Sequence, residues 1–456
     1  MTSVAKHLDE ARRNAIAAMR ALLRAEPTIA RAVLLDDLFG RLHVVLWRAD
    51  GDGAEAIKER FAASLCNAAE RFWSGDIQVA TPRAGHADQL LFESIWNDGR
   101  PDREVQTLRI ADRHRSRGGW LSPFGEPPWP ETAAPPIIAF YSFKGGVGRT
   151  TALAAFAITR AREEGERIVV IDFDLDAPGV GTLLAADEQG TIAGWGVVDY
   201  LLERQHRKID LADFDLADYY HACRRQKITG SGEILVFPAG CVNADFLGKL
   251  ARVDFEPPQQ ASVQGLPALL EQVRKDLAPD WILIDCRAGL GEPAGLVLGG
   301  MAHLHVLFGT TSEQSWQGLG IVIDRLGAER VRAGLPQAAC LLVHAMVPIE
   351  QRDSAEAAFS DRADEEFRAR YYAKARKREE ADQEDRLLVV EDMGTSGTPH
   401  VPLPIRYSPT LAHFRSIDDV ANDLATSHDH AVLSKAIVER SSIRPTEETN
   451  ESPDAG

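Results

Sequence analysis

Apolar and polar residues alternate differently in the two parts of the chain. In the first part, helix-like spacing over residues 11–23 is followed by a strand-like apolar run at residues 42–47. An amphipathic stretch at residues 54–73 precedes a second strand-like segment at residues 105–113. These alternating periodicities predict a small α/β N-terminal domain over residues 1–120.

The pattern changes after residues 121–136, which hold six prolines and predict a semi-rigid linker. From residue 137 onward, short apolar runs bounded by turn residues alternate with helical patterns. The runs are IIAFYS, RIVVID, EILVF, WILID, HLHVLFG and CLLVHAMV. Buried strands with helices between them indicate a mainly parallel sheet covered on both faces. We therefore predict a three-layer α/β/α domain over residues 137–440.

Two later segments do not follow this alternation of apolar runs and helical patterns. Residues 351–386 are dominated by charges and carry a thin apolar stripe, spaced four apart, at Ala363, Phe367, Tyr371 and Ala375. This spacing predicts a charged, largely exposed helical insertion. Residues 441–456 are polar and are predicted to be a disordered tail.

The segment that carries chemistry is the glycine-rich turn between the strand at residues 137–141 and a helix beginning near Thr150. Its three glycines allow consecutive backbone N–H groups to point inward, and the helix N-terminus adds partial positive charge at the same place. This combination predicts a nest for a polyphosphate. The residues expected to contact it are Lys144, Gly145, Gly146, Val147, Gly148, Arg149, Thr150 and Thr151.

Carboxylates follow two of the predicted strands. Asp172 and Asp174 come just past the strand RIVVID, and Asp285 ends the strand WILID. Ligands of open α/β sheets bind at the carboxyl ends of the strands, where carboxylates can hold the waters around Mg²⁺. The Thr150 hydroxyl would hold the metal, and the cation at position 149 would face the β- and γ-phosphates. For each carboxylate the alternative is a helix cap or a surface turn.

The turn departs from the standard phosphate-binding pattern G-x-x-x-x-G-K-[ST], because Phe143 stands at its first glycine and Arg149 at its lysine. It resembles instead the deviant Walker A motif (KGGxGKT) of the ParA/MinD-type P-loop ATPases, and most closely the bacterial variant that reads KGGVGR. The resemblance covers residues 136–424. It implies an ATPase that uses ATP and Mg²⁺ and whose early lysine, here Lys144, reaches across a homodimer to the partner's nucleotide.

The resemblance also implies roles for individual residues. Lys144, Arg149 and Asp174 would be catalytic, with Asp174 polarising the attacking water and Asp176 as the alternative in the same loop. The metal shell would be supported by Thr150, Asp172, Asp174 and Asp285. His344 stands where relatives often carry an Asn that reads adenine, which leaves the choice between ATP and GTP open. Residues 402–414 resemble the family's final strand and loop, which can line the base pocket.

Arginine at position 149 changes the expected activity. It keeps the positive charge and can grip phosphate with two donors, but its planar fork is bulkier than an ammonium group. We expect nucleotide binding to survive and hydrolysis to be slow or to need a partner.

Charge and composition limit the partners. The formal net charge of −17 opposes long-range attraction to nucleic acid or an anionic membrane. Residues 367–379 interleave basic residues with tyrosines, but acidic flanks favour a salt-bridged exposed helix over a nucleic-acid contact. The five scattered cysteines form no disulfide or metal pattern, and His303/His305 and His428/His430 lack converging ligands. With neither a signal-like leader nor a membrane-spanning apolar run, we predict a cytoplasmic protein without membrane contact.

The glycine turn and the resemblance together imply an ATP-dependent dimer switch that regulates an unidentified protein partner. KGGVGR relatives often accompany bacterial antiviral effectors, so the resemblance implies a role in defence. The alternatives are a nucleotide-binding scaffold without turnover and a partition-type ATPase acting on DNA. A P-loop tyrosine kinase is disfavoured because no tyrosine follows Tyr407.

Overall fold

The computed structural model describes residues 7–48, 54–82, 85–113, 118–185, 194–206, 215–253, 255, 265–374, 387–395 and 397–441. The chain divides into two compact units, residues 1–116 and residues 117–456. In the described residues, no helix is both long enough and apolar enough to cross a membrane.

The first unit is a five-stranded mixed sheet with helices on both faces. Its strands run in the order β3-β2-β1-β5-β4, with β1 antiparallel to β2 and parallel to β5. α1 and α2 cover one face and α3 covers the other. The predicted α/β character is confirmed, although β1, β3 and α3 were not predicted. The elements are α1 Leu8–Ala25, β1 Ile29–Asp36, β2 Leu42–Arg48, α2 Ala54–Ala69, β3 Trp73–Ala80, α3 His86–Asp98, β4 Arg100–Pro101 and β5 Leu108–Asp112.

The second unit is built on an eight-stranded sheet in the order β13-β12-β11-β6-β10-β7-β9-β8. Every pairing is parallel except that of β8 with β9. The strands are β6 Ile137–Ser142, β7 Arg167–Phe173, β8 His221–Ala222, β9 Glu233–Phe237, β10 Trp281–Cys286, β11 Leu304–Gly309, β12 Cys340–Val347 and β13 Leu403–Arg406.

Helices lie on both faces of this sheet. They are α4 Gly118–Leu121, α5 Arg149–Glu164, α6 Val180–Leu184, α7 Val197–His206, α8 Gln226–Thr229, α9 Phe246–Leu250, α10 Leu266–Leu277, α11 Glu292–Leu296, α12 Glu313–Leu326, α13 Ala328–Arg332, α14 Arg352–Arg370, α15 Pro409–Ala412, α16 Ile417–Thr426 and α17 His428–Ser441. In β6, Ile137, Ala139 and Tyr141 face one core while Ile138 and Phe140 face the other. The predicted three-layer α/β/α architecture is confirmed.

Residues 118–136, here called the entry segment, differ from the predicted linker. They pack against the second unit, and the boundary between units lies at residue 116. Trp129 is 3% exposed, its Nε1 donates to Pro135 O at 2.8 Å, and its own carbonyl oxygen is 2.8 Å from His303 Nε2. Aromatic residues between the prolines supply apolar area that a solvated linker would leave in water, and this area is buried here.

Within the charged segment at residues 351–386, the structure describes the helix α14. The predicted stripe residues Ala363, Phe367 and Tyr371 are buried, and Phe359 extends the stripe by one turn. The helix packs on α12 and β12. Residues 375–386, including Ala375, lie outside the described part of the chain. Of the predicted tail at residues 441–456, Ser441 is the last residue of α17, and residues 442–456 lie outside the described part.

Candidate functional site

The glycine turn between β6 and α5 forms an open concave loop. Gly146 and Gly148 have φ of 71° and 81°, in the left-handed region that favours glycine. A Cβ built on Gly145, Gly146 or Gly148 would meet nothing within 4 Å. No side chain caps the start of α5, so its first amides are available as donors at the positive end of the helix dipole. This geometry suits a phosphate.

Phe143 anchors the start of this turn. A Cβ on Gly318 of α12 would lie 1.9 Å from Phe143 Cγ, so the ring packs directly on the helix backbone. The ring at the position of the missing motif glycine therefore has a structural role. The sequence signal for this contact is Gly318, a glycine inside the helix EQSWQGLGIVIDRL.

Arg149 lies between two carboxylates. Its Nε donates to Asp285 Oδ1 at 2.6 Å, and its Nη2 donates to Asp174 Oδ2 at 2.9 Å. The residue is 7% exposed. Burial alone would lower the pKa of this guanidinium, but attraction to Asp285 and Asp174 raises the pKa above its ordinary value. Thr150 joins the cluster by donating from Oγ1 to Asp285 Oδ2 at 2.7 Å.

The three predicted carboxylates come together at the carboxyl ends of β7 and β10. Asp172 and Asp285 lie opposite each other in the parallel register of β7 and β10. Asp172 Oδ2 accepts from the amides of Gly179 at 3.1 Å and Gly181 at 3.2 Å. Burial, and then repulsion from Asp285, raise the pKa of Asp172 to about 8. Burial also raises the pKa of Asp285, against the opposing effect of Arg149.

These side chains fit a magnesium ion bound together with a nucleotide. Asp172 Oδ1 and Asp174 Oδ1 are buried without a hydrogen-bond partner among the described residues. Within the same residues, no group of three His, Cys, Asp or Glu side chains forms a ready metal site. Mg²⁺ commonly takes only one or two carboxylates and completes its shell with phosphate oxygens and water. The residues present therefore suit that mode and not an all-protein cage.

Two further residues of the predicted site lie at the surface. Lys144 is exposed and makes no ion pair with another described residue. Asp176 is ion-paired with Arg287, which links the loop after β7 to the loop after β10. Sequence reasoning missed Arg287, although it lies two residues after Asp285.

The end of β12 is covered by α14. The ring of His344 stacks on Phe359 with centroids 4.1 Å apart and an interplanar angle of 5°. His344 is 2% exposed, and burial lowers the pKa of its imidazole to about 4. The suggestion that this residue replaces a base-reading Asn stays a prediction.

The basic run at residues 367–379 is partly described. Arg370 Nε pairs with Glu366 at 2.6 Å and Arg368 Nη2 pairs with Asp364 at 3.7 Å. These pairs favour the salt-bridged interpretation over a nucleic-acid contact for this part of the run. Residues 375–379 lie outside the described part.

A search of solved structures finds similar chains among ATPases. ParA of pNOB8 bound to nonspecific DNA is 17% identical, with 67% of this chain and 98% of that chain covered and a TM-score of 0.41. MinD of Pyrococcus horikoshii OT3 with Mg-ADP is 18% identical, with 67% and 94% covered and a TM-score of 0.38. A ParA family ATPase of Chlorobium tepidum TLS is 13% identical, with 68% and 99% covered and a TM-score of 0.39.

The chain is similar in fold to the ParA/MinD-type ATPases. No family model matches its sequence, and no curated protein does. With identities below 20% and TM-scores near 0.4, these similarities leave the activity to be argued from the side chains of this chain.

Proposed function

We propose that the chain binds a nucleoside triphosphate with Mg²⁺ at residues 144–151 and hydrolyses it slowly. One observation carries the proposal. An open turn with two left-handed glycines leads into an uncapped helix N-terminus, directly beside buried carboxylates at the ends of β7 and β10. Backbone amides and a helix dipole bind phosphate, and the carboxylates suit the water shell of Mg²⁺.

Each residue has a defined task in this proposal. The amides of residues 145–151 bind the phosphate oxygens. The Thr150 hydroxyl, which donates to Asp285, would turn to the metal, while Asp172 and Asp285 hold its waters. Bound Mg²⁺ would neutralise charge that develops on the phosphate oxygens. Asp174, with one free buried oxygen, would orient the attacking water.

Arg149 sets the rate. To face the β- and γ-phosphates, its guanidinium must give up bonds to Asp174 and Asp285. Phosphate therefore replaces carboxylates that already pair with the guanidinium. The cation then contributes less to the free energy of nucleotide binding than an unpaired lysine would. The same exchange frees Asp174 to orient the attacking water. Slow or partner-stimulated hydrolysis follows.

The dimer and the partner complete the proposal. Exposed Lys144 is free to reach the nucleotide of a second copy, so that ATP closes a homodimer and hydrolysis reopens it. The output is regulation of a cytoplasmic protein partner. A place in bacterial antiviral defence rests on the KGGVGR resemblance alone.

The direct test is phosphate release from purified protein with Mg-ATP. We expect Asp174→Asn to lower the rate roughly a hundredfold. This is in the range for loss of a positioned carboxylate that accepts a proton from the attacking water. Asp176→Asn is the matched control from the same loop and is expected to change the rate by less than about threefold, because Asp176 is paired at the surface.

The outcomes separate the alternatives. A drop with Asp176→Asn alone would move the water-orienting role to that residue. Equal background rates in wild type and both variants, with binding intact, would favour the scaffold without turnover, which the double anchoring of Arg149 makes the second candidate. Calorimetry of folded protein that gives no heat with Mg-ATP or Mg-GTP would contradict the site itself.

A further inference from the structure

We propose that Trp120, in the entry segment, positions the loop after β10 and thereby couples the nucleotide site to the point where the chain enters the second unit. The loop comprises residues 287–291 and begins two residues after Asp285. The positioning is a property of the ligand-free protein. The coupling rests on the proposed function.

The first part of the argument is the contact itself. Trp120 Nε1 donates to Gly291 O at 2.7 Å, at the end of the loop. The amide of Gly118 donates to Glu292 Oε1 at 3.2 Å, at the start of α11. Two donors of α4 therefore hold the place where the loop becomes a helix.

The middle of the same loop is held from β6. Tyr141 OH donates to Gly289 O at 3.2 Å, and the Gly289 amide donates to Ser142 O at 3.2 Å. The rings of Trp120 and Tyr141 meet edge to face with centroids 6.4 Å apart. Trp120 thus touches both the end of the loop and the residue that holds its middle.

The packing of α4 on α11 leaves no room to slide. A Cβ on Gly295 would lie 2.4 Å from Trp120 Cδ1, and a Cβ on Gly119 would lie 2.4 Å from Leu296 N. Close-packed surfaces shift as units and not by continuous deformation. A movement of residues 287–291 therefore moves α4 with it.

The remainder of the entry segment is anchored away from the loop. Arg325 Nη2 donates to Ser122 O at 2.8 Å, and its guanidinium lies 4.0 Å from the ring centroid of Phe124. The Gly125 amide donates to Gly299 O at 2.9 Å. Trp129 donates to Pro135 O within the segment. Of the two tryptophans of the entry segment, Trp120 is the one that is hydrogen-bonded to the loop after β10.

The test uses hydrogen exchange by mass spectrometry on the full chain without nucleotide. Trp120→Phe removes the donor to Gly291 O and keeps most of the ring. We expect amides of residues 287–292 to exchange roughly fivefold faster, the equivalent of about 1 kcal/mol for one hydrogen bond. Trp129→Phe also removes one tryptophan donor to a backbone carbonyl and is expected to leave those amides unchanged.

A second variant guards against a merely unstable protein. Gly295→Ala displaces the Trp120 ring without altering Trp120, and it is expected to speed exchange of the same amides. Unchanged exchange of residues 287–292 in Trp120→Phe, at a thermal midpoint equal to wild type, would overturn the positioning role. Equal acceleration in Trp129→Phe would overturn it too.

The coupling is tested by adding Mg-ATP to wild type. Changed exchange at residues 118–122 is expected, and Trp120→Phe should lower kcat for phosphate release while KM stays within about twofold. If ATP binds and residues 118–122 do not respond, the coupling is wrong and the proposed function stands. If ATP does not bind, the proposed function and the coupling fail together, while the ligand-free exchange data still decide the positioning role.

Discussion

The two ends of the glycine turn in the second unit have opposite characters. At the front, Lys144 and the glycines face open space and make no ion pair with other described residues. At the back, Arg149 is 7% exposed and bonded to two carboxylates. The front is ready for a ligand without rearrangement, whereas the back must exchange partners before its cation can reach one.

Under the proposed function, the front would control nucleotide binding and the back would control hydrolysis. The front is formed by the backbone of consecutive residues, so it depends only on the local sequence. The back is a set of long-range side-chain pairs, with Asp174 25 positions from Arg149 and Asp285 136 positions away. Buried charges are tolerated only when paired, so the back contributes to folding as well as to chemistry.

The largest effect is expected from removing the buried cation. Arg149→Met leaves Asp174 and Asp285 without their shared partner, and we expect a loss of about 3–5 kcal/mol in the free energy of unfolding. Urea denaturation followed by circular dichroism measures it. Arg149→Lys should recover part of the loss because it keeps the charge but not the fork.

Arg287→Gln is the matched control, since it breaks the half-exposed pair with Asp176 in the neighbouring loops. We expect it to cost at most about 1 kcal/mol. Equal losses for Arg149→Met and Arg287→Gln would remove the contrast between the two ends of the turn.

The next effect is a pH dependence at the back. The pKa of Asp172 is raised from 3.8 to about 8 in the fold. The folded state therefore holds this proton more tightly than the unfolded chain. The stabilisation is complete below about pH 4 and is lost as pH rises through about 8. As the pH rises through this window, the free energy of unfolding of Asp172→Asn should increase relative to wild type. We expect the increase to be at least about 1.4 kcal/mol, the value of one pKa unit.

The measurement is the difference between the two unfolding free energies at several pH values in the absence of nucleotide. Subtracting the variant removes the titration of carboxyls elsewhere, such as Asp37, whose pKa is lowered and which acts in the opposite direction. A constant difference from acidic to basic pH would show that Asp172 titrates normally.

The smallest effect on stability belongs to the front. Lys144→Ala should change the free energy of unfolding by no more than about 0.5 kcal/mol, because the side chain is exposed. Light scattering with Mg-ATP should nevertheless detect a dimer for wild type and a monomer for the variant. Nucleotide-independent behaviour of both proteins would refute the role of Lys144 in trans.

The sequence predicted the parts of this site that depend on local patterns. A strand, three glycines and a helix in succession specify the turn, and aspartates at strand ends specify the carboxylate cluster. It did not predict that Arg149 points to those carboxylates, because a side chain's partner depends on which strands become neighbours. The contact of Phe143 with Gly318 was missed for the same reason.

Outside the site, the failures have other causes. Strand β1 has buried residues at both alternate and consecutive positions, so its apolar pattern matches no single period and does not predict a strand. The prolines of the entry segment predict a linker, whereas Trp120 and Trp129 hold the segment against the second unit. Proline content describes the stiffness of a solvated chain and says little about one that has a surface to pack on.

The seat of Phe143 on Gly318 restricts how this loop can be redesigned. Restoring the standard glycine at position 143 would remove a half-buried ring from its contact with α12, at a cost below the about 3–5 kcal/mol of emptying a fully buried aromatic site. Filling the vacated space from position 318 requires a side chain where none now fits. An engineer, or natural drift, would have to exchange both positions together to turn this loop into its commoner form.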